Sequence, residues 1–242
     1  MMKVLEKIKN GVLDVLFPAL CGGCGKEGRY VCERCELFLG EAPLICPVCD
    51  GASFSGARHL SCQNSRYGLD GLVSTWEYEG MVKHLLGQVK YKRISHIVQE
   101  LVSRSFRTMT NDQKRFADFL SFVFSKNVVL AFVPSYIRKE KERGFNQARL
   151  IMKEIEKLAG IHGTQLLKKI RETRPQMELD REQRLKNLGG AFQIVFPVEQ
   201  RPENVVLLDD IWTTGATMKE CCKELKKGGV EKVWGFTLAR TV

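Results

Sequence analysis

The stretch VVLLDDIWTTGAT, residues 205–217, carries an apolar run into two adjacent carboxylates and then into a hydroxyl-rich turn. Four consecutive apolar residues at 205–208 read as a buried strand. TMKECCKELKKGG, from residue 217, has the spacing of a helix, so the whole is a strand, a turn and a helix. In open α/β sheets that turn faces the ligand side, beyond the carboxyl end of the strand. A Thr-Thr-Gly-Ala-Thr turn aims successive N–H groups and the positive end of a helix dipole at one point, which suits a phosphate. The hydroxyls of Thr213, Thr214 and Thr217 can donate to the same oxygens, and Gly215 and Ala216 let the backbone come close. Asp209 and Asp210 would repel that phosphate, so they are expected to hold paired donors, and the 2- and 3-hydroxyls of a ribose fit.

Other strands end in two acids. A Walker B element does, but no G-x-x-x-x-G-K-[ST] stands elsewhere in the chain. The phosphoacceptor of a receiver domain is a second reading, and it leaves the threonine-glycine turn without a purpose. A capped helix after a buried strand, with no ligand at all, is the third.

Working outward, 72–78 (LVSTWEY) reads as a strand, 79–91 and 95–106 as helices with one apolar face, and 127–135 (NVVLAFVPS) as a buried parallel strand stopped at Pro134. One helix is predicted over 140–159, then strands at 194–196, 205–208 and 233–239 around a helix at 217–227. Alternation of this kind predicts an α/β fold with a parallel sheet covered on both faces. Residues 168–187 are rich in charge and poor in apolar side chains, so they form either a solvated excursion or a cover over the site.

Seven of nine cysteines fall between Cys21 and Cys62, as C21-GG-C24, C32-ER-C35, C46-PV-C49 and Cys62. Repeated C-x2-C pairs indicate a tetrahedral metal site, and a small segment with little apolar content needs such a staple to fold. Cys21, Cys24, Cys32 and Cys35 make one complete set. Cys46, Cys49 and Cys62 make three-quarters of a second, because Ser65 stands where a fourth thiolate would complete the pattern. Either His59 supplies the fourth ligand or the site has lost its metal. Cys221 and Cys222 lie in a helical pattern and are expected to be buried. Two domains are expected: a cysteine-rich one over 1–66, including an amphipathic helix with Val4, Leu5, Ile8, Val12, Val15 and Leu16, and an α/β domain over 67–242.

The formal charge is +10, and thirty Lys/Arg against twenty-one Asp/Glu in 67–242 account for +9 of it. That excess points to an anionic partner, nucleic acid or a phosphorylated metabolite. No apolar run is long enough to span a bilayer, and charges interrupt the apolar positions of the first twenty residues, so neither anchor nor signal peptide is expected. The expected location is cytoplasmic.

The 205–217 stretch resembles the PRPP (5-phosphoribosyl 1-diphosphate) signature of type I phosphoribosyltransferases: four apolar residues, an acidic pair and a T-x-G-x-T loop. VPSYIRKEKERGFNQARLI (133–151) and RETRPQMELDREQRLKNLGGAF (171–192) resemble motifs of the ComF family of competence-associated proteins. In that family a cysteine-rich zinc ribbon, often double, precedes a phosphoribosyltransferase-like domain. The resemblance covers essentially the whole chain and departs from the family at Ser65. It implies that Asp209 and Asp210 hold the ribose, that Thr213, Thr214, Gly215, Ala216 and Thr217 hold the 5-phosphate, and that Ser135 and Tyr136 form the pyrophosphate loop. Arg138 and Arg143 would meet pyrophosphate or a nucleic-acid backbone, and Asn146 and Gln147 would line the cleft, with Phe145 in the core. Arg171, Thr173, Gln176, Arg184 and Asn187 would belong to the cover.

The implied ligands are Zn2+ in the ribbon, Mg2+ with PRPP in the cleft, and single-stranded DNA, in a protein of DNA uptake and transformation. No base and no nucleobase pocket stand out, so transfer of the phosphoribosyl group to a base or amine stays open as an alternative. A third reading is an adaptor whose ribbon docks a helicase or DNA-transport component.

Overall fold

The computed structural model describes residues 18–89, 94–173 and 188–242. The apolar positions of the first seventeen residues, and Gln176, Arg184 and Asn187, lie outside it.

In chain order the elements are α1 (Glu33–Glu36), β1 (Gly71–Glu77), α2 (Gly80–Gln88), α3 (Ile94–Asn111), α4 (Ala117–Val123), β2 (Val128–Phe132), α5 (Ile137–Arg143) and α6 (Gln147–Ala159). They continue with β3 (Leu167–Lys169), β4 (Phe192–Ile194), β5 (Asn204–Trp212), α7 (Ala216–Lys227) and β6 (Lys232–Arg240). Four strands form one sheet in the order β1-β6-β5-β2, parallel at every pairing. The remaining pair, β3 and β4, makes a separate antiparallel ribbon.

Alternation along each strand sends side chains to two cores. Leu130, Phe132, Val206, Leu208, Phe236 and Leu238 join Ile97, Leu101, Phe119, Ile151 and other residues of α2, α3, α4 and α6 on one face. Ala131, Val133, Val205, Leu207 and Val233 join Met218, Cys221, Cys222 and Leu225 of α7, and Leu167 and Phe192 of the small ribbon, on the other. The parallel sheet is thus covered on both faces, as the alternation predicts.

Both margins of the sheet are closed by the chain itself. Beside β1, Ala42 N–H donates to Thr75 O at 3.0 Å, Glu77 N–H to Gly40 O at 2.9 Å and Leu72 N–H to Gly56 O at 2.8 Å, so two stretches of the cysteine-rich segment run antiparallel to the strand. Beside β2, Leu130 N–H donates to His162 O and Thr164 N–H to Leu130 O, both at 2.9 Å. Unpaired strand edges invite association, and these are occupied. The segment also packs inward: Val31 and Leu44 lie in the first core and Ile45 in the second. Glu100 of α3 accepts from Tyr30 and Val31 N–H at 2.9 and 3.0 Å, while buried Arg104 donates to Val31 O and pairs with Glu36 and Glu100.

Several boundaries differ from the sequence reading. The helix predicted over 140–159 is two helices. Gly144 takes the left-handed conformation at φ 80° and ends α5, and the Asn146 side chain accepts from Arg149 N–H to start α6. The strand predicted at 194–196 lies at Phe192–Ile194, where Phe192 rather than Phe196 is fully buried. The apolar run at 205–208 is only the first half of β5, which continues through both acids to Trp212 in register with β6. Phe145 is half-buried, outside both cores.

Candidate functional site

Neighbouring strands β2 and β5 send their following helices to opposite faces, α6 to the first core and α7 to the second. A parallel sheet opens a crevice where such connections diverge, beyond the carboxyl ends of the strands. Ser135, Arg143 and Gln147 line one side of that crevice, and Asp209, Asp210, Trp212, Thr213, Gly215, Ala216 and Thr217 line the other, with Ile211 and Met218 between.

The loop after β5 is shaped by its own strand. Gly215, at φ 69°, caps α7 and sits against the Trp212 ring, where a β-carbon would fall 2.1 Å from a ring atom. Thr214 turns inward and its Oγ1 accepts from Ala216 N–H at 3.4 Å, so its hydroxyl belongs to the loop rather than the crevice lining. Lys219, one turn into α7, lies over the same indole at 5.3 Å and pairs with Asp50 at 3.3 Å. A Gly215→Ala variant is expected to lose about 2–4 kcal/mol of stability, from left-handed strain and overpacking together. A thermal melt like that of the wild type would contradict this.

On the β2 side, Asn146 joins the loop to the helix. Its Nδ2 donates to Val133 O at 3.1 Å and to Ser135 Oγ at 3.2 Å, while its Oδ1 holds Arg149 N–H at 3.0 Å. Asn146 is therefore a strut behind Ser135 and does not itself line the crevice. Tyr136 caps α5 and also lies outside the lining. Arg138 is exposed and pairs with Glu142 at 3.1 Å and Glu172 at 3.9 Å, tying α5 to the chain after β3. Arg171 donates to Gly189 O at 2.9 Å, and Thr173 is buried.

The acid pair is electrostatically crowded. Burial, and then the charge of Asp210, push the Asp209 carboxyl well above its ordinary range; Asp210 N–H donates to Asp209 Oδ1 at 2.9 Å and partly offsets this. Lys169 of β3 and Cys221 of α7 are close enough for their charges to act on Asp209. Burial, and then Lys139, lower the pKa of Lys169, whose Nζ donates to Thr173 Oγ1 at 2.8 Å. Sequence reasoning did not single out Lys169, since nothing in a run of charges separates it from Lys168. Trp212 was missed as well; its signal is an aromatic residue three places before an obligatory glycine. Cys221 and Cys222 are buried as expected, and burial raises both thiols.

Two groups of four donors in the cysteine segment fit a zinc ion. The Sγ atoms of Cys21, Cys24, Cys32 and Cys35 lie within 4.8 Å of one another, as do those of Cys46, Cys49 and Cys62 with a ring nitrogen of His59. Tetrahedral zinc with bonds near 2.3 Å to sulfur sets its thiolates about 3.8 Å apart. Cys24 and Cys32 are 3.7 Å apart. His59 presents Nδ1 to Cys49 at 3.4 Å and holds Ala52 O with Nε2 at 2.9 Å, a contact that leaves Nδ1 bare for a metal. Burial raises the Cys21 and Cys46 thiols, but backbone N–H donors outweigh it and bring them to about 6 and about 7. With His59 the second group reaches four donors without Ser65. Purified protein is expected to carry two zinc ions per chain by atomic absorption, and His59→Ala one; a wild-type value of one would remove the second site.

No family model matches the chain. Full-length comparison finds relatives nonetheless. The chain is 26% identical over 226 residues to competence protein F of Haemophilus influenzae, covering 93% of this chain and 85% of that one. It is 27% identical over 231 residues to DNA utilization protein YhgH of Escherichia coli, covering 93% and 98%. To competence protein ComFC of Bacillus subtilis it is 27% identical over 230 residues, covering 89% and 86%. Similarity therefore runs through the cysteine segment and the α/β sheet together, and it supports a protein of the ComF type, like these competence-associated relatives.

Proposed function

We propose that this protein binds PRPP, together with Mg2+, in the crevice between β2 and β5, binds single-stranded DNA on its basic surface, and acts in DNA uptake. One observation carries the ligand: the acid pair near the end of β5 and the threonine-glycine loop that follows the strand line the same crevice. Carboxylates at Asp209 and Asp210 accept from ribose hydroxyls, and Mg2+ bound with the diphosphate would offset the charge of the ligand. The loop N–H groups and the start of α7 take the 5-phosphate. DNA handling is supported by the names of the relatives, two competence proteins and a DNA utilization protein, and by the +9 excess of residues 67–242.

Calorimetric titration of PRPP with Mg2+ tests the first part. Binding is expected in the wild type and absent in an Asp209→Ala, Asp210→Ala double variant; equal binding in both would sink the assignment. The affinity for an oligothymidylate, measured across a salt series, tests the second, because phosphate contacts weaken as salt rises. Pyrophosphate release from PRPP with bases, nucleosides or single strands present would instead favour a phosphoribosyl transfer.

A further inference from the structure

We infer that the second cysteine-histidine group is coupled to the crevice, with Lys219 as the positioning residue between them: the turn that carries Cys46 and Cys49 also carries Asp50, and Asp50 holds Lys219 over Trp212. Metal held by Cys46, Cys49, His59 and Cys62 then steadies the loop on the β5 side of the crevice. This coupling goes beyond the phosphoribosyl reading and takes from it only a probe.

The turn is closed by its own backbone. Asp50 N–H donates to Cys46 O at 2.9 Å, and Cys46 N–H to Gly51 O at 2.8 Å. Asp50 is left-handed, at φ 60°, a conformation that Asp and Asn tolerate better than other residues with a side chain. A β-carbon on the next residue, Gly51, would lie 3.4 Å from Cys49 Sγ and 3.6 Å from His59 Cε1, so the backbone beside Asp50 packs directly against the metal donors. Where those donors settle, the Asp50 carboxylate settles with them.

Its partner stands in the first turn of α7. Lys219 N–H donates to Gly215 O at 2.8 Å, while its Nζ reaches Asp50 Oδ1 at 3.3 Å and lies 5.3 Å from the centre of the Trp212 ring. Trp212 lines the crevice, and the same ring bears on Gly215 at the head of the helix. A lysine stem is flexible and strongly hydrated at its tip, so it keeps one geometry only where a partner fixes it. With the carboxylate displaced, the ammonium returns to water and the indole loses its cation. Arg240 Nη2 also joins these parts, donating to Pro43 O at 3.1 Å. Pro43, however, follows Ala42, whose N–H is bonded to Thr75 O of β1, so that contact is placed by the strand rather than by the metal.

The test uses full-length protein labelled with 5-fluorotryptophan, giving one 19F signal for each of Trp76, Trp212 and Trp234, with Trp212→Phe to assign the second. Wild type, His59→Ala, Lys219→Met and the double variant are compared for that signal and, by calorimetry with Mg2+, for PRPP affinity. His59→Ala is expected to move the Trp212 signal and to lower affinity about threefold, the size of a part-exposed ion pair. Lys219→Met should do the same, and the double variant should lose no more than either alone. Losses that multiply in the double variant, or a Trp212 signal that ignores His59→Ala, would overturn the coupling. Asp50→Asn tolerates the same backbone and keeps every metal donor, so it decides the matter even if His59→Ala fails to fold. It should retain the wild-type zinc content and match Lys219→Met, and a wild-type Trp212 signal with wild-type affinity would overturn the inference. A wild type that binds no PRPP, while Trp212 still responds to His59→Ala only when Lys219 is present, would end the phosphoribosyl reading and leave this coupling standing.

Discussion

Asp209→Asn is expected to raise the thermal stability of the protein at neutral pH while weakening PRPP binding on the order of a hundredfold. The Asp209 carboxyl is pushed well above its ordinary value of 3.8 by burial and by Asp210. A carboxyl raised in the folded state binds protons there that the unfolded chain has already released. Stability therefore falls as pH rises from the unfolded value through the folded one, and the loss is complete above the latter. Asparagine has no charge to bury at any pH. It should recover about 1–2 kcal/mol at pH 7, the usual size of a stability gain at a functional site. The acidic slope of melting temperature against pH should flatten in the variant. Binding falls because an ionised acceptor for ribose hydroxyls is lost, and hydrogen bonds to charged groups are worth about 1.5–3 kcal/mol each. Melting curves from pH 4 to 9, with and without ligand, measure both effects. A variant less stable than the wild type at pH 7 would show that Asp209 holds the fold rather than the ligand. Because binding requires the ionised form, PRPP affinity in the wild type should rise with pH up to the raised carboxyl value and then level off.

Removing residues 1–66 is expected to unfold the remainder. Composition changes at that point, but packing does not respect the change. Val31, Leu44 and Ile45 leave two cores, and losses of large apolar side chains cost about 2–5 kcal/mol apiece. Arg104, buried on α3, loses Glu36 and Val31 O and keeps Glu100. Stripping partners from a buried cation costs about 3–5 kcal/mol. The edge of β1 also loses its antiparallel neighbours at residues 40–42 and 56–58. These together match or exceed the 5–15 kcal/mol by which domains are stable. Size-exclusion chromatography and melting of a 67–242 fragment decide the matter: aggregation is expected, and a monomer with a cooperative transition would refute it.

How much of this was legible in the sequence varied with the kind of signal. The parallel sheet was, since the apolar runs within 127–135, 205–208 and 233–239 have few other uses. The crevice loop was legible too, because glycine, threonine and paired acids are uncommon after a strand and each has a physical reason to be there. His59 was visible only as a candidate, since no spacing rule separates a histidine ligand from a bystander. The break in the 140–159 helix was missed although Gly144 and Asn146 are the residues that make it. The apolar face of the predicted helix starts only at Ala148, and the Glu, Lys and Arg residues before the break favour a helix too, so nothing in the spacing drew notice to two ordinary capping signals. The dual role of Asn146 could not be read at all, because it depends on where Val133 and Ser135 fall in space. Of the stretch expected to cover the site, residues 174–187 lie outside the described residues.

The two guarded margins of the sheet carry a consequence for assembly. With residues 40–42 and 56–58 along β1 and residues 162–164 at Leu130 of β2, the described sheet gives a second chain little free margin on which to continue it. Side-chain surfaces are left for partners instead, such as the tips of the cysteine knuckles, where Phe38 and Phe54 are 80% and 91% exposed. Open-ended growth into fibres is disfavoured by the same geometry. The crevice between β2 and β5 lies at the strand ends instead of the margins, so a contact made along a margin leaves it open.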